Sequence, residues 1–280
     1  MKQIELVPGI KSSVLGFGCA PIKGSEGNNK SARALSAAID FGVTHFDIAR
    51  SYGYGEAEAF VGKILRPYRK DIIIASKFGI KANNKAKLLA PLKPIIRFAK
   101  NLNGKSAAKP LTIQNNNVAS LGNRFHSRIE INPFEMKKSL EESLKALKTD
   151  YLDYFFVHEP LYEIQDVAAL FELAEELKKE GKIRAFGMAF MQNQKELHTN
   201  YLESFDILQF NNSPGILNYE DVKKDRSNKA NIFFSPINGV ENTLLPEEKL
   251  LKLNEDFPES VILCSMFNEK HLASNVKLFS

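Results

Sequence analysis

Eight short apolar runs recur along the chain: Leu15–Cys19, Thr44–Ile48, Ile72–Ser76, Tyr154–Val157, Ala185–Ala189, Ile207–Phe210, Ile232–Ser235 and Ser260–Cys264. Several, such as IIIA, YFFV and IFF, are apolar at successive positions rather than at every second one. That is the pattern of parallel strands buried on both faces. Between the runs the period becomes helical. Leu35, Ala38 and Ile39 share a face between Ser31 and Phe41, with Gly42 as the stop. Asn132-Pro133 reads as a helix cap and first position, and Met136, Leu140, Leu144 and Leu147 form one stripe behind it. Val167, Leu170, Phe171, Ala174 and Leu177 form another, ended by Gly181. Strands alternating with amphipathic helices predict an α/β fold, and eight such strands suit a closed (β/α)8 TIM barrel. The first dozen residues, with Pro8-Gly9 between two apolar runs, predict a hairpin that closes the barrel floor.

The rhythm breaks twice. Residues from about Gly79 to Ile131 separate the third strand from the next helix. Connections in such units usually take about 2–6 residues, so this is a long insertion on the side where the strands end. Conversely, Gly239 to Ser260 is short, with room for a helix only over about Pro246 to Leu253. Charge singles out the insertion. From Lys81 to Arg128 there are ten Lys or Arg and no Asp or Glu, which leaves 28 cations against 33 anions elsewhere. Leu88, Leu92, Ile95, Ile96 and Ala99 fall there at near-helical spacing, broken by Pro91 and Pro94, with Lys85, Lys93, Arg97 and Lys100 among them. Such a segment could be a lid that attracts an anionic substrate or a cofactor phosphate, or a basic helix lying on a membrane surface. The plainer alternative is a solvated excursion, favoured by the polar stretch SAAKPLTIQNNNVASLGN. It lacks aromatic platforms, so nucleic acid is not an expected partner.

At 280 residues and 44% hydrophobic, the chain suits one barrel domain over residues 1–280. No apolar stretch approaches the ~20 residues of a membrane span, and MKQIELVPG lacks a signal-peptide core. Two cysteines, Cys19 and Cys264, make no disulfide framework. Two reduced, buried thiols in a cytoplasmic protein are the expectation.

Four polar residues stand at or just past the ends of three successive apolar runs: Asp47, Tyr52 in the turn SYGYGE, Lys77 and His158. In a parallel barrel all four meet at the C-terminal mouth, where such folds keep their chemistry. Singly each has an ordinary reading: a structural ion pair, a packed tyrosine, a hydrogen-bonded core histidine. Together they suit carbonyl reduction. A tyrosine could give the proton, and a neighbouring ammonium would lower its pKa from near ~10. Asp47 would hold Lys77 charged and oriented, and His158 would hydrogen-bond the substrate oxygen.

The segments THFDIARSYGYGEAEAFVGKIL, IIIASKFG, LEESLKALKTDYLDYFFVHEP and LKKEGKIRAFG resemble the signature segments of the aldo-keto reductases. The resemblance implies a TIM barrel, reduction of an aldehyde or ketone with NADPH or NADH, and Tyr52 as the acid beside Asp47, Lys77 and His158. It further implies cofactor contacts from Asp47, from Gln209 of DILQFN, and from Phe234 and Ser235 of FFSPI. From VILCSMFNEKHLASN it implies contacts from Ser265, His271 and Asn275. Four positions depart from the family pattern. Ala189-Phe190 stands where relatives carry a Ser-Asn pair that holds the nicotinamide amide, and Ser265 and His271 stand where NADP-preferring members carry Lys and Arg.

Two classes of function follow. One is a reductase of a small carbonyl compound, with an anionic substrate suggested by the basic insertion. The other is a non-catalytic or sensory protein on the same scaffold, favoured by the altered cofactor corner. A lysine Schiff-base enzyme is a weaker third, because Lys77 has an acidic neighbour rather than an apolar pocket.

Overall fold

The computed structural model describes residues 1–22, 28–83, 126–240 and 244–280. An antiparallel hairpin, β1 (Gln3–Val7) and β2 (Ile10–Ser13), precedes the barrel. The barrel strands are β3 (Leu15–Gly18), β4 (His45–Asp47), β5 (Ile73–Phe78), β8 (Leu152–His158), β9 (Ile183–Phe190), β10 (Ile207–Asn211), β11 (Asn231–Phe234) and β12 (Ser260–Cys264). All pair in parallel with their chain neighbours, and β12 closes on β3. Each coincides with one of the eight apolar runs, with ends displaced by a residue or two. The helices are α1 (Asn28–Asp40), α2 (Ala57–Leu65), α3 (Pro133–Leu147), α4 (Val167–Lys179), the single-turn α5 (Lys195–His198), α6 (Tyr219–Arg226), α7 (Pro246–Asp256) and α8 (Glu269–Leu278). None among the described residues is long and apolar enough to cross a membrane.

The helix signals work as their chemistry requires. Asn132 Oδ1 accepts from the Glu135 N–H at 2.8 Å, and Met136, Leu140 and Leu147 are buried beneath α3. Helix α7 runs one turn past the expected end at Leu253, because Leu253 is fully buried and Phe257 closes the helix at its carbonyl.

Strand alternation splits the apolar residues into two cores. One set of side chains points out toward the helices, including Phe17, Phe46, Phe155, Phe190 and Phe210. The other points in: Ile73 and Ala75 of β5, Tyr154 and Phe156 of β8, Ala185 and Ala189 of β9, Ile232 of β11, Val261 and Leu263 of β12. Ile4, Leu6 and Ile10 of the hairpin join this inner set, so the hairpin plugs the floor as its pattern predicts. Beside it Asp153 is buried between Arg69 and Arg184, each at 2.8 Å. Both cysteines are buried free thiols, held protonated by burial.

The root of the insertion is a two-stranded antiparallel sheet, β6 (Ile80–Ala82) with β7 (His126–Arg128). The expected amphipathic segment, with Lys85, Leu88, Lys93, Arg97 and Lys100, lies outside the described residues.

Two close contacts give stability predictions. A Cβ on Gly62 of α2 would stand 2.4 Å from the Leu147 carbonyl oxygen of α3. Backbone cannot retreat as a side chain can, so Gly62→Ala should cost at least the ~1–3 kcal/mol of overpacking, read from the urea midpoint. His45, fully buried against Tyr154 and Ser12, is pushed down to about 3 by burial and by the Lys77 charge. The unfolded imidazole takes up a proton near the ordinary ~6.5, so His45 contributes full stability above that pH and loses it as pH falls toward about 3. Urea unfolding at about pH 7.5 and about pH 5 should therefore show a smaller loss on acidification for His45→Gln than for the parent.

Candidate active site

The inward parity that builds the inner core continues into the top layer. Asp47 is two residues above His45, Lys77 two above Ala75, and His158 two above Phe156. Gln209 lies two above Ile207, Phe234 two above Ile232, and Ser265 two above Leu263. A slip of one residue in any strand would turn its contribution outward. Asp47, Tyr52, Lys77, His158, Gln209, Phe234, Ser235 and Ser265 line one cavity of about 150 Å³, with Ala189 and Glu159 in the same wall.

Its centre is an ion pair. Lys77 Nζ donates to Asp47 Oδ1 at 2.7 Å and Oδ2 at 2.6 Å, and to the Ile48 carbonyl at 3.0 Å. Those three acceptors take all three ammonium protons. Gln209 Nε2 adds a 2.8 Å bond to Asp47 Oδ1. Asp47, Lys77 and Gln209 are each at most 4% exposed.

Tyr52 arrives from a tight turn after β4, in which Gly53 (φ 59°), Tyr54 (φ 60°) and Gly55 (φ 88°) all take left-handed backbone. Glycine carries two of those three positions at little steric cost. The half-buried Tyr52 ring stands 5.3 Å from Lys77 Nζ and meets His158 edge-on at 6.1 Å between centroids. Its pKa departs from the expected direction. Burial raises it well above the ordinary phenol value, and Asp47, Glu159 and Cys19 raise it further. These raising effects prevail over the Lys77 ammonium, whose three protons go to Asp47 and the Ile48 carbonyl. Burial, followed by the Lys77 and Arg128 charges, holds His158 well below its usual range, so its imidazole is neutral. Its Nδ1 is buried without a hydrogen-bond partner among the described residues.

Two residues after strand ends carry strain. Glu159, following His158, has φ 45°, and Ser235, following Phe234, has φ 54°. Left-handed backbone in a non-glycine residue costs of order 1–3 kcal/mol and concentrates where side chains must be aimed. Arg128 donates to the Glu159 carbonyl and the Glu159 N–H to the Ala189 carbonyl, fixing the first of them.

A second cavity of about 630 Å³ continues from the first, sharing Ser235, Leu263 and Ser265. His271 and Asn275 of α8 line its far end. The ten positions singled out in the sequence thus fall along one continuous depression. Its fit to a nicotinamide dinucleotide can be judged on two atoms' surroundings. Gln209 Oε1 is buried without a partner among the described residues, while its amide nitrogen is anchored. An amide group bound there would complete it. On the other side Ala189, in register with both His158 and Gln209, offers only a methyl group, and Phe190 points away to stack near Phe210. The corner therefore fits through one polar group rather than several. No group of three or more His, Cys, Asp or Glu among the described residues could hold a metal ion.

Comparison with known proteins agrees with this architecture. The Aldo/keto reductase family matches over residues 14–198. That span includes Asp47, Tyr52, Lys77 and His158 and ends before Gln209. The aldo-keto reductase YhdN of Bacillus subtilis (strain 168) is 31% identical over 189 residues, covering 65% of this chain and 44% of the relative. The uncharacterized oxidoreductase YqkF of the same organism is 28% identical over 179 residues, covering 63% and 44%. The matched region thus spans less than half of either relative's length. Among solved structures, an aldo-keto reductase from Bacillus halodurans in its holo form superposes with TM-score 0.69 at 22% identity, covering 99% of this chain and 90% of that one. One from Klebsiella pneumoniae in complex with NADPH gives 0.68 at 17%, covering 99% and 89%. The chain belongs to the aldo/keto reductase family.

One cluster escaped sequence reasoning. Glu58 of α2 is buried, accepts from Ser76 Oγ at 2.7 Å, and pairs with Arg50, which also reaches Glu142. Burial outweighs Arg50 and raises the Glu58 pKa. The available signal was a glutamate on the apolar side of a short helix, which reads equally well as a surface position.

The ion pair gives a sharp expectation. Asp47→Asn leaves a buried ammonium with a neutral partner and should cost about 3–5 kcal/mol. Adding Lys77→Met should recover part of that loss, because the unpaired charge goes too. Urea denaturation of the parent, the two single variants and the double variant measures the coupling.

Proposed function

We propose that the chain is a single barrel domain acting as a nicotinamide-dependent reductase of aldehydes or ketones, with Tyr52 as the proton donor. The observation that carries this reading is the convergence of Tyr52, the Asp47–Lys77 pair and neutral His158 on one cavity. Gln209 would hold the nicotinamide amide through Oε1, Phe234 and Ser235 would flank the ring, and Ser265, His271 and Asn275 would meet the far half of the dinucleotide. Reduced nicotinamide, when bound, supplies the hydride that the carbonyl carbon accepts, while the carbonyl π electrons move to oxygen.

The chain's own groups handle that oxygen. With Nδ1 buried, His158 has Nε2 left to donate a hydrogen bond, and a neutral imidazole can do so without competing for the proton. The Tyr52 hydroxyl gives its proton to the developing alkoxide. A raised phenol pKa keeps Tyr52 loaded across neutral pH, and an alkoxide is basic enough to take the proton even so. Lys77 answers the phenolate that remains, since loss of the Tyr52 proton places a new anion near an ammonium already oriented by Asp47.

The expected anionic substrate finds no support in the described cavity wall. Its cation, Lys77, is neutralised by Asp47, and Glu159 adds negative charge at the rim. A neutral carbonyl compound suits it better. The rival reading, a non-catalytic scaffold, draws on one observation, the methyl group of Ala189 in the corner that binds the amide.

Tyr52→Phe separates the two. It should lower kcat for carbonyl reduction by about 10²–10⁴-fold, the usual contribution of a positioned acid, with dinucleotide affinity unchanged. Turnover equal to the parent's would end the proposed role of Tyr52. Absence of both turnover and dinucleotide binding in the parent protein would favour the scaffold.

A further inference from the structure

The larger cavity departs from what a phosphorylated dinucleotide needs. Among the described residues that line it there is no Lys or Arg, and its fixed anion is Glu247, in the first turn of α7. The remaining polar side chains are neutral hydroxyls and amides (Ser235, Ser265, Ser274, Asn238 and Asn275), with His271 at the far end. Two charged neighbours of Glu247 on α7 are committed elsewhere. Lys249 is buried and donates to the Gly239 carbonyl. Glu248 accepts from the Leu245 N–H at 2.7 Å, capping α7. Ser265 Oγ donates to the Gly18 carbonyl at 3.1 Å. Glu247, by contrast, is exposed and makes no hydrogen bond or ion pair among the described residues.

We propose that this groove selects NADH over NADPH, with Glu247 as the residue that sets the preference. The inference rests on the reading of the joined cavities as a nicotinamide-dinucleotide site. The two dinucleotides differ in the adenosine 2′ substituent, a hydroxyl in one and a phosphate in the other. A 2′-phosphate carries close to two negative charges and is ordinarily fixed by guanidinium or ammonium groups. Here it meets a carboxylate and neutral dipoles. A ribose diol is the complementary ligand, because a carboxylate accepts hydrogen bonds from vicinal hydroxyls, the arrangement that marks NAD sites on other folds. The repulsion acts across a solvent-accessible groove, so salt should screen it.

The test is equilibrium binding, independent of turnover. The full chain is titrated with NADH and with NADPH by nicotinamide fluorescence and by calorimetry, at low and at high salt. The expected result is NADH at least about tenfold tighter, with the gap narrowing as salt rises. Glu247→Gln should tighten NADPH severalfold while leaving NADH equal or weaker. His271→Arg should tighten NADPH alone, and thermal melting of each variant confirms that it is folded. Equal or tighter NADPH binding by the parent, or a Glu247→Gln variant with the parent's ratio, overturns the selectivity while leaving the dinucleotide site standing. Failure of either dinucleotide to bind at millimolar concentration overturns the site itself and this inference with it.

Discussion

A lysine ammonium and an aspartate carboxylate lie enclosed at the top of an apolar barrel, and the site is organised around keeping both charged. Burying two ions costs several kcal/mol each, which is offset only by close geometry and full use of the remaining protons and lone pairs. Lys77 meets that condition: its three protons go to the two Asp47 oxygens and the Ile48 carbonyl, with Gln209 on the carboxylate as well. Three strands, β4, β5 and β10, must therefore hold their mutual register. The inner core beneath, from Ile73 and Ala75 to Ile207 and Val261, and the hairpin plug below it enforce that register by packing.

The same burial sets the protonation states above the pair. Tyr52 is held as phenol and His158 as neutral imidazole, each chiefly by desolvation. The ion pair contributes differently to the two. Asp47 reinforces the proton on Tyr52, whereas Lys77 disfavours a second cation at His158. One pair thereby prepares a loaded acid and a neutral hydrogen-bond donor side by side. The strained backbones at Glu159 and Ser235 belong to this arrangement, since each directs the wall residue next to it.

Much of this was readable along the chain because parallel barrels write themselves plainly. Strands buried on both faces leave contiguous apolar runs, so all eight appeared, and a polar residue ending such a run stands out as Asp47, Lys77 and His158 do. Glu58 and Asp153 were not readable as buried partners. A carboxylate looks the same in sequence whether water or a distant Ser76, Arg50 or Arg184 satisfies it. Ala189 and Phe190 form another instance. As a pair they signal a missing polar contact, but strand parity puts only Ala189 in the wall and sends Phe190 to the outer core.

What the sequence determined by itself was order and chemistry: eight strands, the helices α1, α3, α4 and α7, the hairpin, and which polar residues reach the mouth. These depend on local period and residue type, which the chain carries directly. The tertiary structure alone decided the electrostatics. The expected lowering of Tyr52 by Lys77 became a rise, because a charge's effect depends on which partner lies at hydrogen-bond distance and how much water is excluded. It also decided that Glu247, on a helix placed after β11, faces the same groove as His271 from the helix that ends the chain. Such juxtapositions arise only when the barrel closes, bringing β12 back against β3 and the helices around it into one ring.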